Sequence, residues 1–332
     1  MEKFLLSCDW GTSSFRLRLV DLRDGKFIAE HRSGEGISST FEAWKKVENN
    51  LSREDFFRQY LKKEIKALSV ETSLDLTKVV LVISGMASSS IGMNELPYAA
   101  LPFALNGKDA SVKIFEANEQ FPYKTMLISG VRNDQNAMRG EETQLIGLVD
   151  QVQVRLDAKD AIFIFPGTHS KHIYIQDGQL INFETYMTGE LFDVIASHSI
   201  LKDSIDTSSL VESSADNNEA FLLGIVKSAD NGIMRSLFTV RTNQLFNRFN
   251  KKQNTHYLSG LLIGAELQSL IEKTNSALIL CSGSSLFPFY TNAIEVLGLT
   301  ERSITLPAEL VDKAAAIGHI KIFNHNRSLF ID

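Results

Sequence analysis

The sequence predicts an α/β protein built as two similar lobes. The first observation behind this is a strand–turn–strand–turn–strand pattern that occurs twice: FLLSCDWGTSSFRLRLVDLRDGKFIAE near the start and AIFIFPGTHSKHIYIQDGQLINFETY near the middle. The second is a pair of continuous apolar runs, residues 79–83 and 277–281, each feeding a small-residue loop, as buried strands of an open sheet do. The third is length. A chain of 332 residues is longer than one core usually needs.

Each copy of the pattern has an apolar strand entering a Gly-Thr turn and a second strand leaving it. The turns are Asp9-Trp10-Gly11-Thr12-Ser13-Ser14 and Gly167-Thr168-His169-Ser170-Lys171. Each copy then turns at Asp-Gly, at residues 24–25 and 177–178, into a third strand. Residues 53–68 place Phe56, Phe57, Tyr60, Leu61, Ile65 and Leu68 at helical spacing. Strand 79–83 runs into Ser84-Gly85-Met86-Ala87-Ser88-Ser89-Ser90. A short helix is expected around Leu145, Ile146 and Leu148. Beyond Thr188-Gly189-Glu190 the chain turns helical over 218–226, 234–246 and 257–271. Strand 277–281 leads through Ser282-Gly283-Ser284-Ser285 into another helix, and a last helix covers 308–323, where Ala314-Ala315-Ala316-Ile317-Gly318 would allow close crossing. Six prolines and no low-complexity tract give no sign of a linker.

Composition is that of a globular protein, with 44% hydrophobic and 22% charged residues. A net charge of −6 argues against a nucleic-acid partner. Cys8 and Cys281 each sit in an apolar run and read as buried free thiols. The N-terminal MEKFLLSCDWG meets an acidic residue before a signal-peptide core can form, and no apolar run is long enough to span a bilayer. The expectation is a cytoplasmic protein with no membrane partner.

The Asp9 turn carries the strongest chemical signal. A carboxylate at a strand's end can hold Mg²⁺, Gly11 lets the backbone approach phosphate oxygens, and Thr12, Ser13 and Ser14 offer hydroxyls and N–H groups. A plain hairpin turn would also use Asp and Gly. The matching Gly167-Thr168 turn favours the phosphate-binding reading. Lys171 either brings an ammonium to phosphate or is a solvated strand residue. Gly283, Ser284 and Ser285 open a helix and would admit a base or sugar. Glu141 and Glu142 either cap a helix or supply a general base. No Walker or Rossmann fingerprint is present.

Taken in order, the Asp-Trp-Gly-Thr turn, the Ser-Gly-Met loop, MRGEETQ, PGTHSK, TGEL, YLSGLLIGAE and GSSL resemble the 2-dehydro-3-deoxygalactonokinase family over essentially the whole chain. That family belongs to the actin-like ATPase superfamily. The resemblance implies a ribonuclease H-like actin-type ATPase fold, with two duplicated βββαβαβα lobes flanking an interlobe cleft. The expected lobes are residues 1–135 and 136–332.

The resemblance further implies ATP- and Mg²⁺-dependent phosphorylation of the terminal hydroxyl of 2-dehydro-3-deoxy-D-galactonate, in galactonate catabolism. Asp9 would orient the metal. Gly11, Thr12, Ser13, Gly167, Thr168, Lys171, Gly283, Ser284 and Ser285 would bind the nucleotide. Glu141 would be the base, with Glu142 beside it. Residues 85–98 would hold the sugar acid, through Gly85, Met86, Ser89 and Glu95, with Arg16 and Arg139 for its carboxylate. The chain departs from the family's expected Trp at Met93 and at His172. A kinase of another sugar or keto-deoxy sugar acid, and a non-catalytic actin-like nucleotide switch, are the rival readings. A homodimer is a further expectation.

Overall fold

The computed structural model describes residues 3–47, 51–153, 160–211, 214–230 and 232–330. The chain divides into two compact units. One comprises Met1–Asp157, Gly178–Asn182 and Asp312–Asp332, and the other Ala158–Asp177 and Phe183–Val311.

The first unit opens with an antiparallel meander, β1 (Phe4–Trp10), β2 (Phe15–Asp21) and β3 (Phe27–Ser33). Helices α1 (Ile37–Lys45) and α2 (Arg53–Thr72) follow. The chain continues through β4 (Val80–Gly85), β5 (Phe103–Ala104), β6 (Val112–Phe115), β7 (Thr125–Ile128), β8 (Val131–Arg132), β9 (Ala137–Met138) and α3 (Glu141–Gln153). The main sheet runs β3-β2-β1-β4-β7-β6, with β4 parallel to both β1 and β7. Every residue of β4 is buried, which explains its unbroken apolar run.

Helix α2 starts where Ser52 accepts the Asp55 N–H, at 3.1 Å, and acidic residues occupy its first turn. Its buried residues Phe57, Leu61, Ile65 and Leu68 recur every three to four positions and join the core formed by β1, β2 and β4. Trp10 anchors that core against Phe15, Phe57 and Tyr60, and its indole N–H donates to the Glu35 carbonyl at 3.0 Å.

The second unit repeats the plan with β10 (Asp160–Phe165), β11 (Ser170–Gln176) and β12 (Gln179–Tyr186). Asp177 (φ 48°) and Gly178 (φ 74°) make the turn between the last two, both in the left-handed region that a tight hairpin requires. The start of β12, Gln179 and Leu180, pairs with β5 in the first unit's own residues. Then come α4 (Thr188–His198), α5 (Ala215–Ser228), α6 (Ile233–Leu245), α7 (Lys251–Leu267), β13 (Ala277–Leu280), α8 (Phe287–Val296), β14 (Ser303–Thr305) and α9 (Ala308–His325). The strands run β14-β13-β10-β11-β12, with β13 parallel to β10 and to β14.

Both units therefore share one topology: third, second and first strands of a meander, then two parallel strands. This is the duplicated ribonuclease H-like plan expected from the sequence.

Glycines set the helix crossings. An added Cβ at Gly260 of α7 would lie 2.1 Å from the Phe221 carbonyl oxygen of α5, and one at Gly224 would lie 2.3 Å from that of Tyr257. From Asp312 onward α9 belongs to the first unit, where it crosses α3 with equal closeness. A Cβ at Gly318 would fall 2.0 Å from the Thr143 carbonyl, and one at Gly147 would fall 2.1 Å from that of Ala314.

One expectation needs adjusting. The first unit carries no α-helix between β4 and β7, so its order is not βββαβαβα. A 3-10 turn (Met86–Ser88) and short strands fill that stretch, where Gly and Pro interrupt any helical period. The first unit takes in α3, which packs on the part of α9 from Asp312 onward.

Cys8 and Cys281 are buried free thiols, and burial pushes both upward in pKa. Among the described residues no helix is long and apolar enough to cross a membrane.

Candidate active site

In the first unit the turn after β1 is closed by the Gly11 N–H donating to the Ser14 carbonyl at 2.9 Å. The first N–H groups of α1 then bind the turn's carbonyls, Ile37 to Gly11 at 2.9 Å and Ser38 to Thr12 at 3.1 Å. The helix start thereby satisfies its orphan donors and fixes the turn in one stroke. Gly36 makes this possible, since a Cβ there would sit 2.2 Å from the Thr12 carbonyl oxygen. Thr12, Ser13 and Ser14 remain exposed.

Asp9 is half-buried at the end of β1, and its carboxylate accepts no hydrogen bond among the described residues. Its pKa is raised. Burial is the main cause, opposed by the Arg16 and Arg18 charges and reinforced by Glu141 and Asp312. Among the described residues no group of three or more His, Cys, Asp or Glu could hold a metal ion.

Two glycines bring the other first-unit candidates to this place. Gly85 (φ +87°) pairs with Trp10 in parallel register, and a Cβ there would meet the Trp10 carbonyl oxygen at 2.6 Å. Gly140 (φ +109°) lies against Gly85, with 3.5 Å between its ideal Cβ position and the Gly85 Cα. Asp9, Gly85 and Gly140-Glu141 are thus neighbours.

The two glutamates differ sharply. Glu142 is buried, and its carboxylate accepts the Gly140 N–H at 2.8 and 3.0 Å and the Thr143 hydroxyl at 2.9 Å. This is a capping arrangement at the start of α3. Burial, reinforced by the Glu141 charge, pushes its pKa up to about 8. Glu141 is half-buried, accepts the Arg139 N–H at 3.2 Å, and presents its charge to Asp9.

Both arginines are held by neighbouring groups. Arg16 pairs with Asp312 at 2.9 Å and with Glu30 at 4.0 Å. Arg139 donates to the Ser88 carbonyl at 2.5 Å and hydroxyl at 2.7 Å, and to the Leu96 carbonyl at 3.1 Å, while its guanidinium lies 3.9 Å from the Tyr98 ring centre. It clamps the 85–98 loop. Within that loop Ser89 is buried and donates to the Met86 carbonyl at 2.8 Å, Met86 is half-buried, and Glu95 is exposed. Met93 packs into the core.

The second unit builds its turn in the same way. The Glu190 N–H, in the first turn of α4, donates to the Thr168 carbonyl at 3.0 Å, and a Cβ at Gly189 would lie 2.7 Å from the Gly167 carbonyl oxygen. Lys171 is buried and donates to the His169 carbonyl at 2.7 Å, bracing the turn from within. His172 is wholly buried.

Beside this turn lies a cavity of about 760 Å³ with a mainly apolar lining. Gly167, Thr168 and Ser285 form part of its wall; Gly283 and Ser284 lie outside its lining, and the Gly283 carbonyl instead accepts the Phe287 N–H at 3.1 Å. The size suits a small-molecule site. Sequence reading missed Asn217, Asn218, Phe221, His256 and Phe289, which also line it. They come from α5, α7 and α8, and the signal for Asn217, Asn218 and His256 was polar residues interrupting apolar helix faces.

A family model described as 2-keto-3-deoxy-galactonokinase matches residues 9–319. The protein named Probable 2-dehydro-3-deoxygalactonokinase DgoK1 from Rhizobium meliloti (strain 1021) is 30% identical over 306 residues, covering 91% of this chain and 92% of its own. The 2-dehydro-3-deoxygalactonokinase of Escherichia coli (strain K12) is 32% identical over 228 residues, 67% of this chain and 72% of its own. A crystal structure from Sinorhizobium meliloti carrying the same enzyme name superposes with a TM-score of 0.76 at 29% identity, covering 98% of this chain and 99% of the other. The chain belongs to the 2-keto-3-deoxy-galactonokinase family and is a sugar kinase, a phosphotransferase with an alcohol group as acceptor.

Proposed function

We propose that this protein transfers the γ-phosphoryl group of ATP to the C6 hydroxyl of 2-dehydro-3-deoxy-D-galactonate, within galactonate breakdown. The observation that carries the reading is the neighbourhood of Asp9 and Glu141, two carboxylates in different settings beside the Gly85 loop. Glu141 takes the proton of the attacking hydroxyl, and Glu142 caps its helix and holds Gly140. Gly11, Thr12 and Ser13, and separately Gly167 and Thr168, bind phosphate oxygens of ATP. The cavity walled by Ser285 takes the adenosine. Gly85, Met86, Ser89 and Glu95 face the sugar acid, with Arg139 shaping their loop. Arg16 acts as part of the Asp312 ion-pair cluster.

Asp9 fits Mg²⁺, because this ion is commonly held by one or two carboxylates together with water and substrate phosphates. When bound, Mg²⁺ neutralises charge on the transferring phosphates. Catalysis by this chain is then chiefly positioning and electrostatic stabilisation.

The test is an ADP-release assay over a panel of 2-keto-3-deoxy acids, with phosphorus NMR of the product. The expected result is preference for 2-dehydro-3-deoxy-D-galactonate and a 6-phosphate. A stronger preference for another acid, or phosphate at another carbon, overturns the substrate assignment. ATP binding with no acceptor at all favours a nucleotide switch.

A further inference from the structure

Glu266 lies on α7 inside an apolar helix face and is 2% exposed. Among the described residues no Lys or Arg pairs with it. Its carboxylate is met instead by groups from three other elements. The Tyr290 hydroxyl of α8 donates to Oε2 at 2.8 Å, the Thr188 hydroxyl at the start of α4 donates to the same oxygen, and His172 Nε2 of β11 lies 3.2 Å from Oε1. The Tyr290 hydroxyl also lies 3.1 Å from Ser170 Oγ, which in turn accepts the Gly167 N–H at 3.3 Å. A continuous chain thus runs from the buried carboxylate to the backbone of the Gly-Thr turn.

We propose that Glu266 is a positioning residue for phosphoryl transfer: it holds the Gly167-Thr168 turn and the start of α4 in register through Tyr290, Ser170 and Thr188. The inference rests on the reading of that turn as a phosphate-binding element. A buried carboxylate without a permanent cation is costly unless each oxygen is satisfied, and here both oxygens are engaged, which ties the joined elements together. The elements Glu266 joins supply Gly167, Thr168, Thr188, Gly189 and Tyr290 to the cavity wall. A defect in the network should therefore be felt at the nucleotide rather than at the sugar acid.

The test uses the full chain with Glu266→Gln and Tyr290→Phe, alone and combined. For Glu266→Gln, kcat/KM for ATP is expected to fall ~10–100-fold, the usual consequence of losing hydrogen bonds to a charged group. ADP affinity by calorimetry weakens with it, while KM for the sugar acid holds. Tyr290→Phe, which keeps the ring, shows the same split more weakly, and the two losses are non-additive in the double variant. If Glu266→Gln fails to fold, Tyr290→Phe alone decides. A folded variant with unchanged ADP affinity and ATP kcat/KM overturns the role, as does an equal rise of KM for both substrates. A wild-type protein with no acceptor at all counts against the proposed function, and the ADP-binding arm still tests Glu266.

Discussion

Gly36 lies so close to Thr12 that a Cβ would come within 2.2 Å of the Thr12 carbonyl oxygen. Gly189 stands in the same relation to Gly167, at 2.7 Å. In each unit the first helix after the meander starts against the Gly-Thr turn, gives its N–H groups to the turn's carbonyls, and needs glycine to come that near. The repeat in this protein is one of construction, with a different sequence in each copy.

Alanine at either glycine must push backbone aside. Gly36→Ala and Gly189→Ala are each expected to cost about 1–3 kcal/mol of stability by overpacking, read from urea unfolding, and to lower kcat/KM for ATP. Gly34→Ala, where no atom lies within 4 Å of the added carbon, is the control. Equal behaviour of Gly34 and Gly36 variants would contradict the close-approach argument.

Glu141→Gln is expected to reduce turnover by ~10²–10⁴-fold, the range for loss of a general base, with ADP affinity retained. Glu142→Gln should lose far less, since its amide oxygen can still accept the Gly140 N–H. Single-turnover rates for both variants check this, and a reversed order would transfer the base role to Glu142.

The pKa of Glu142 has a stability consequence. Its folded value of about 8 lies above the ordinary 4.5, so the fold favours the protonated form. That contribution is complete below pH 4.5 and is lost as pH rises through about 8. Glu142→Gln should therefore gain stability relative to wild type between pH 5 and pH 9. Urea midpoints at both pH values decide it, and a constant difference would argue against a buried titrating acid.

His319 works in the opposite sense. It is wholly buried on α9, with Nδ1 2.7 Å from the Ser7 hydroxyl. Burial, aided by the Arg18 charge, drops its pKa from 6.5 to about 3. Its contribution is present above pH 6.5 and disappears as pH falls toward 3. The wild type should lose stability relative to His319→Gln between pH 7 and pH 4, measured by thermal unfolding. Parallel pH profiles would show that the ring titrates normally.

Asp9→Asn should abolish the response of activity to added Mg²⁺ while leaving the fold intact by circular dichroism. An unaltered Mg²⁺ titration would remove Asp9 from metal binding.

Local pattern made much of this legible. Alternating and continuous apolar runs announced the meanders and β4, the period of Phe57, Leu61, Ile65 and Leu68 announced α2, and the Ala314–Gly318 stretch announced a close helix crossing. Two motifs spoke for chemistry because their residue types are unusual together. What stayed hidden was direction. The partners of Arg16 and Arg139 could not be read from the sequence: one pairs with Asp312 and the other clamps Ser88 and Leu96. Lys171 gave no sign in the sequence of being buried, and it bonds the carbonyl of His169.

The amino-acid sequence alone determined the two meanders, β4 and β13, the two Gly-Thr turns, helices such as α2 and α7, and the family, because these depend on periodicity, turn chemistry and motif order within short stretches. Tertiary structure alone decided which of two adjacent glutamates is buried as a cap, which helices wall the cavity, and that Glu266 gathers donors from three elements. Those outcomes depend on which groups lose water and which partners meet them, and burial is set by packing between segments far apart in the chain.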